Sequence, residues 1–588
     1  MRSIIFVLFI CSLAILSCNN RGSNKSSISN KPSESVIFVP KDSSWEKLSI
    51  RQKIGQTMLM LPDKEKELEL GNGSLEKYFE KYPVSGFFMG WKLFDGVKPE
   101  DKIEVQRNRT LEYAKASKMP LFFQEDYESG IVMQGMTSFP NLMTLGAANS
   151  EQLAYDYGKA VNLETRSLGI NYVLHPIVDL NQNPFNPLIN IRSISDDPDK
   201  AIRLLSKQIK GIQDLNVAAT IKTFPGDGVD YRDQHLVTGE NPYTMEQWWK
   251  NHGRVFQELI NDGARSVMPG HITLPAYQKE KINGLFPPAS LSKELLTGLL
   301  KNEMGFKGVI VSDAMVMAGF RDWYPNQLEG EIQSFMAGVD LMLWPSYAFM
   351  DTLEARIIKG KIPIERLNDA VKRVWALKEW IGLFNKDYQI MRPLTNEEKS
   401  FVEKTAQSVC ENAVTLVWDK KKALPISPKK DKKILLVGVT PVSRKGGSSN
   451  LDMLKYTKDA LVKKGFDVDF QHNILYETQG WTESVTTKYD RIIFLLVRTP
   501  HSPYGPLQFY DDEAQSVWAI NAMPKNKVIV VSYGDPYTPN EYFQRVNTMI
   551  NAYSVAKPMQ EATVRALTGE IPFKGTSPVS LDIKMLFK

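Results

Sequence analysis

Between about residues 44 and 385, short apolar runs alternate with longer stretches whose apolar residues recur every three or four positions. The short runs are GQTMLML (55–61), VSGFFMG (84–90), PLFFQED (120–126), INYVLHPIVD (170–179), VAATIKT (217–223), ARSVMPGH (264–271), GVIVSD (308–313) and GVDLMLW (338–344). Each is too short for a helix and reads as a buried strand. Between them, EQLAYDYGKAVNLETRSLG and MEQWWKNHGRVFQELINDG carry helical spacing and a closing glycine. Strands alternating with helices imply parallel pairing, and eight repeats predict a closed TIM-like (β/α)8 barrel over residues 44–385. The amphipathic segment 364–384 closes the pattern, and the polar stretch after it reads as a linker over 386–430. The β-branched runs KKILLVGV (432–439), RIIFLLVR (491–498) and KVIVVSYG (527–534) then predict a smaller open α/β domain over 431–588.

The N-terminus breaks the pattern. MRSIIFVLFICSLAILSC has a basic start, an apolar run too short to span a bilayer and a small residue before Cys18, which reads as an export signal over residues 1–18. Its ending, ILSC, resembles a bacterial lipobox, with Cys18 as the lipidated first residue of the mature chain. The polar, Ser-rich residues 19–43 read as a flexible tether. The expected location is therefore exported and lipid-anchored to a bacterial membrane. Cys410 is then the only thiol left, so a large core rather than disulfides must hold the chain together.

Composition narrows the classes. With 588 residues, 43% hydrophobic and 24% charged, the chain has material for a large core, and disorder is excluded for most of it. The net charge of +5 is dispersed, and the one run, KKDKK (429–433), reads as solvated surface, so no nucleic-acid partner is expected. The sequence does not define an oligomeric state.

Barrel enzymes place their chemistry at the C-terminal ends of the strands, and here those ends offer Asp126, His175, Asp179, Lys222, His271 and Asp313. After the fifth strand comes FPGDGVDYRDQH (224–235), too charged to pack as a strand or helix face. Three of the six histidines fall among these positions, which raises the question of zinc. There is no HxH pair, no HExxH and no ligand from the first strand, so no metal and no cofactor are expected. Covalent sugar chemistry needs a carboxylate nucleophile and a second group that protonates the leaving oxygen. Asp313, directly after a strand, can be the first. In Asp233-Gln234-His235 alternate side chains point the same way, so Asp233 can orient the His235 imidazole, which exchanges protons near neutral pH. An Asp-x-His pair can equally well cap a loop.

The motifs, in order, decide between these. IGQTML, QEDYESG, HPIVDLNQNPFNPLINIRSIS, KTFPGDG, DQH, VMPGHI and VSDAM together resemble the family 3 glycoside hydrolases, especially their β-N-acetylglucosaminidase branch. The resemblance covers the whole barrel region. It implies that Asp126, Arg192 and Lys222 bind sugar hydroxyls, that Asp313 is the nucleophile, and that Asp233 and His235 form the acid/base dyad. It also implies an active-site role for His271, grouped here with the substrate-binding residues. Thr223 and Asp227 stand where the branch usually has His, and Ile131 where it often has Arg, replacements that exchange donors for acceptors around the sugar.

Bland readings hold elsewhere. His175 and Asp179 read as structural strand-end contacts, Tyr243, Trp248 and Trp249 as helix packing, and HSPYGPLQFYDDE (501–513) as a surface loop. Trp344 reads as the floor of a sugar site or as a buried barrel residue. The expected function is a retaining, exo-acting glycosidase on carbohydrate, releasing terminal β-N-acetylhexosamine. Alternatives are a β-glucosidase-like enzyme, transfer to phosphate, and a non-catalytic glycan-binding lipoprotein.

Overall fold

The computed structural model describes residues 38–440, 450–474, 481–500, 508–509 and 511–581. The export signal, Cys18, the tether to residue 37 and most of the 501–513 loop lie outside the described residues.

All eight apolar runs of the first region are strands: β1 (Met58–Met60), β2 (Gly86–Phe88), β3 (Phe122–Glu125), β4 (Tyr172–Val173), β5 (Ala218–Phe224), β6 (Ser266–Pro269), β7 (Val309–Ile310) and β8 (Met342–Leu343). They pair in parallel in the order β8-β1-β2-β3-β4-β5-β6-β7. The two ends of this sheet meet in a bridge between Val311 and Leu341, which closes the ring. Every strand residue is buried, because helices cover the outside and side chains fill the inside. Even Lys222 and Thr223 in β5 are almost wholly enclosed. At the opposite end of the barrel from the strand C-termini, helix Ile364–Ile381 sends buried Lys378 inward, where its Nζ donates to Gln56 Oε1 and to the Pro120 carbonyl, each at 2.7 Å.

A second sheet comprises β9 (Thr415–Asp419), β10 (Lys433–Val439), β11 (Asp467–His472), β12 (Arg491–Leu496), β13 (Val528–Ser532) and β14 (Thr548–Asn551). Its order is β9-β14-β13-β12-β10-β11, parallel except for β9 against β14. Residues 386–430, expected as a linker, differ from that reading. They hold helix Asn396–Ala413 and β9 of the second sheet. The helix starts with a reciprocal Thr395–Glu398 cap, and its buried stripe is Val402, Ala406, Val409, Cys410 and Ala413. Its polar first turn is what hides it in the sequence. Residues 38–43, expected as tether, also lie on the barrel: Phe38 is buried and Asp42 accepts from the Trp375 indole at 3.1 Å.

The two sheets belong to one compact unit. The second one braces the loop after β4: Asn190 Nδ2 donates to Asp535 Oδ1 at 3.2 Å, Tyr537 donates to the Asn181 carbonyl at 3.2 Å and Ser195 donates to the Pro578 carbonyl at 2.6 Å. Among the described residues no helix is long and apolar enough to cross a membrane.

Candidate active site

At the end of β3 the chain turns sharply at Tyr127, whose φ is +38°, with Asp126 before the turn and Glu128 after it. Lys222 reaches both from β5: its Nζ lies 2.9 Å from Asp126 Oδ1 and 2.7 Å from Glu128 Oε1. Arg192, at the end of the short turn Asn190–Arg192, holds Glu128 in a two-pronged contact of 2.9 and 2.8 Å. Burial opposes charge on both Glu128 and Lys222, and the opposite charges outweigh it. Arg192 and Lys222 hold the Glu128 carboxyl well below its usual range, while Asp126 and Glu128 hold the Lys222 ammonium well above its own. His175 supports the turn from behind, its Nδ1 donating to the Asp126 carbonyl at 2.6 Å and its Nε2 accepting from Asn162 at 3.3 Å. Burial lowers its pKa to about 4, so it is a neutral brace.

The loop after β5 is pinned at several points. Asp179 accepts from the Thr223 amide and hydroxyl at 2.9 and 2.7 Å and from the Asp227 amide at 2.8 Å. Asp227 in turn accepts from Asn186 at 2.8 Å and from Gln234 at 3.3 Å. Burial, then the nearby Asp179 charge, raises the Asp227 pKa to about 7. Gln234 also accepts the His271 amide at 2.7 Å, tying the loop to the end of β6.

These anchors flank Asp233-Gln234-His235. Asp233 Oδ1 accepts from both the amide and Nδ1 of His235, at 2.8 and 2.7 Å. Since Nδ1 donates to Asp233, Nε2 is the ring atom left to exchange a proton. The Asp233 side chain is 1% exposed and that of His235 35%, so the acid is hidden and the imidazole open. The loop then meets the segment that follows the nucleophile candidate: Ala318 donates to the His235 carbonyl at 3.1 Å and Thr238 to the Gly319 carbonyl at 2.9 Å. A side chain at Gly319 would come within 2.5 Å of the Gln234 carbonyl, so this close approach needs glycine.

Asp313 follows β7 and accepts the Ala314 amide at 2.7 Å through Oδ1. His271 is placed otherwise than expected. It is wholly buried and does not line the pocket; Ser290 donates to its Nδ1 at 2.8 Å and its Nε2 donates to the Ala314 carbonyl at 3.2 Å. A histidine with both nitrogens occupied has no edge for a sugar. It steadies the backbone beside Asp313 instead.

Asp313, His235, Asp126, Arg192 and Lys222 line one pocket of about 250 Å³, with Asp233 behind His235. Trp344 forms part of its wall and packs edge-on against Phe88, ring centroids 5.1 Å apart. Thr223 also faces the pocket, although its hydroxyl is committed to Asp179. Sequence reasoning missed Glu128 and Gln234. The Asp-x-Glu spacing at the end of β3 was the signal for the first; nothing local marks the second. Trp248 is buried with its indole donating to the Pro225 carbonyl at 2.7 Å, and Tyr243 donates to Gln182, both as packing residues.

The arrangement offers a carboxylate, an oriented imidazole and a cluster of hydrogen-bonding charges around one small cavity. Residues 49–377, more than half of the chain, match the glycosyl hydrolase family 3 N-terminal domain. The chain belongs to glycosyl hydrolase family 3. As a member of family 3, with curated relatives named as hexosaminidases, it is an O-glycosyl hydrolase. It is 31% identical over 482 residues to a beta-N-acetylglucosaminidase/beta-glucosidase of Cellulomonas fimi, covering 78% of this chain and 84% of that one. Among solved structures it resembles the beta-glucoside phosphorylase BglX, with TM-score 0.78, 28% identity and 92% and 95% of the two chains covered. It also resembles a family 3 beta-N-acetylglucosaminidase from Paenibacillus sp. str. FPU-7, with TM-score 0.74, 27% identity and 91% and 99% covered.

Proposed function

We propose that this family 3 enzyme is a retaining, exo-acting glycosidase that releases terminal β-linked N-acetylhexosamine, with Asp313 as nucleophile and His235 as acid/base. The observation that carries the reading is the joint lining of one pocket by the Asp313 carboxylate and a His235 ring whose Nδ1 is held by Asp233 at 2.7 Å. In the first step Asp313 attacks the anomeric carbon while His235 Nε2–H protonates the departing oxygen. In the second, neutral His235 takes a proton from water, which displaces Asp313 from the sugar. Asp126, Lys222 and Arg192 would receive the hydroxyls farthest from the leaving group. The choice of N-acetylhexosamine follows the names of the curated relatives.

The test is turnover of aryl β-N-acetylglucosaminide and aryl β-glucoside by wild type and Asp313→Ala. The first substrate should be preferred, with turnover falling by several orders of magnitude in the variant. Preference for the glucoside would reassign the sugar, and near-normal turnover of Asp313→Ala would remove the nucleophile. A second reading, phosphate in place of water in the second step, draws on the resemblance to a phosphorylase and on an imidazole that, unlike a carboxylate, does not repel the anion. Adding inorganic phosphate decides it: sugar 1-phosphate among the products supports the reading, and free sugar alone discards it.

The export signal and a lipid on Cys18 complete the proposal, resting on ILSC and the polar stretch after it. Cys18→Ser should leave an unprocessed precursor or release the enzyme from membranes. Recovery of mature, membrane-bound protein from that variant would rule the anchor out.

A further inference from the structure

A second cavity, of about 420 Å³, shares Asp126 and Glu128 with the catalytic pocket and is otherwise lined by different residues. None of Asp313, His235 or Asp233 lines it. The leaving group must sit where the acid can reach its oxygen, so a chamber that meets the sugar at Asp126 and contains no part of the dyad is not the leaving group's. It belongs to whatever is attached to the sugar's far side.

Its walls suit a carbohydrate. Trp91 lines it and is 56% exposed, a large aromatic face left open to solvent. Its ring meets Trp344 of the catalytic pocket edge-on, centroids 6.2 Å apart, and Trp344 meets Phe88 in the same way, so an aromatic wall runs unbroken from one cavity to the other. Aromatic faces pack on the CH faces of pyranoses. Opposite hydroxyl-binding groups are present too. Glu125 is buried and lines the cavity, with Oε2 accepting the Asp126 amide and Oε1 making no hydrogen bond among the described residues. Burial, then the Asp126 charge, raises its pKa to about 8, so near neutral pH it presents a neutral acid that can donate as well as accept. Lys102 adds a flexible donor. Asp126 itself remains 48% exposed with one oxygen on Lys222, so it can accept from a hydroxyl or let a glycosidic oxygen pass.

We propose that this cavity is a second sugar subsite, so that besides a terminal unit the enzyme accepts one that carries a further pyranose on a hydroxyl near Asp126, and releases that disaccharide intact. The inference rests on the glycosidase reading above and deepens its substrate class. The chemistry is unchanged: the bond to the leaving group breaks, water supplies the hydroxyl and the proton, and the bond between the two sugars stays whole.

The test compares aryl β-glycosides of N-acetylglucosamine and glucose with the aryl β-glycosides of their 4-linked and 6-linked β-disaccharides. Wild type should release intact disaccharide, seen by mass spectrometry at the earliest time points. Trp91→Ala, outside the catalytic pocket, should lower disaccharide release roughly tenfold, the equivalent of one well-packed aromatic contact, while monosaccharide glycosides keep near wild-type rates. First products that are only monosaccharides, or equal losses on both substrate types in Trp91→Ala, overturn the subsite. Failure to cleave any monosaccharide glycoside would instead sink the glycosidase reading. Calorimetric binding of the disaccharides then decides the subsite alone, and an affinity that Trp91→Ala leaves unchanged overturns it.

Discussion

Among the described residues the His235 ring is hydrogen-bonded by Asp233 alone, whose Oδ1 takes both the His235 amide and its Nδ1. That makes the dyad separable by leaving group. His235→Ala is expected to lose at least about 100-fold on alkyl glycosides and much less on activated aryl glycosides, which depart with little protonation. Azide should restore turnover only on the activated ones. Equal losses on both would mean that the imidazole shapes the loop without moving protons. Asp227 gives a second prediction at this scale. Its folded pKa of about 7 stands above its ordinary 3.8, so the folded chain binds a proton that the unfolded chain has released. The stability this contributes is full below pH 3.8 and is lost as pH rises through about 7. Denaturant unfolding between pH 4 and 8 should therefore show a fall that Asp227→Asn flattens. An unchanged slope would place the titration elsewhere, first of all on Asp179, whose carboxyl faces the same loop.

At the scale of elements, the helix Ile364–Ile381 carries the clearest consequence. Lys378 is surrounded by neutral acceptors and the Phe122 ring, and burial lowers its pKa from 10.5 to about 7. Between these values the unfolded chain holds a proton that the folded one does not, so stability rises with pH across that window, by on the order of 5 kcal/mol in all. Lys378→Met should abolish the rise; a slope that persists in the variant would exonerate the lysine. The elements also show what was legible in the sequence. The eight barrel strands stand out because parallel strands enclosed on both sides are continuous apolar runs, and Asp126, Lys222 and Asp313 stand out because such runs end in charge for a reason. β9 and its helix did not, since a capped, polar first turn mimics a linker. The roles of Gln234 and His271 were not legible either. Each depends on partners brought close only by closure of the barrel: Gln234 joins Asp227 to His271, and His271 joins Ser290 to Ala314.

Across the whole molecule, the second sheet acts on the first through the loop that ends in Arg192. Asn190, two residues before that arginine and at a φ of +27°, is held by Asp535 from the other domain. The second domain thus positions Arg192, the proposed sugar-binding group, without entering the pocket, and among the described residues none of it lines that cavity. Asp535→Ala should raise KM several-fold with kcat close to wild type if, as proposed, Arg192 receives substrate while the dyad and nucleophile, His235 with Asp233 and Asp313, sit on other loops. Asp535→Asn keeps the acceptor and should restore most of the affinity. A matching fall in kcat, or a lowered Tm with unaltered KM, would mean that Asp535 serves the fold alone.

The four charges at the end of β3 carry one more implication. Two cations, Lys222 and Arg192, face two anions, Asp126 and Glu128, within hydrogen-bonding distance, so the cluster sums to zero. The cluster is strongly polar at short range and adds no net charge of its own, so the long-range field of the pocket is left to the other acids that line it, Asp313 and Asp179. Uncharged saccharides should therefore associate equally well in dilute and concentrated salt, and a sugar acid, which would bring an unmatched charge to a pocket whose two cations are already paired and which also holds Asp313, should be turned away at the pocket wall.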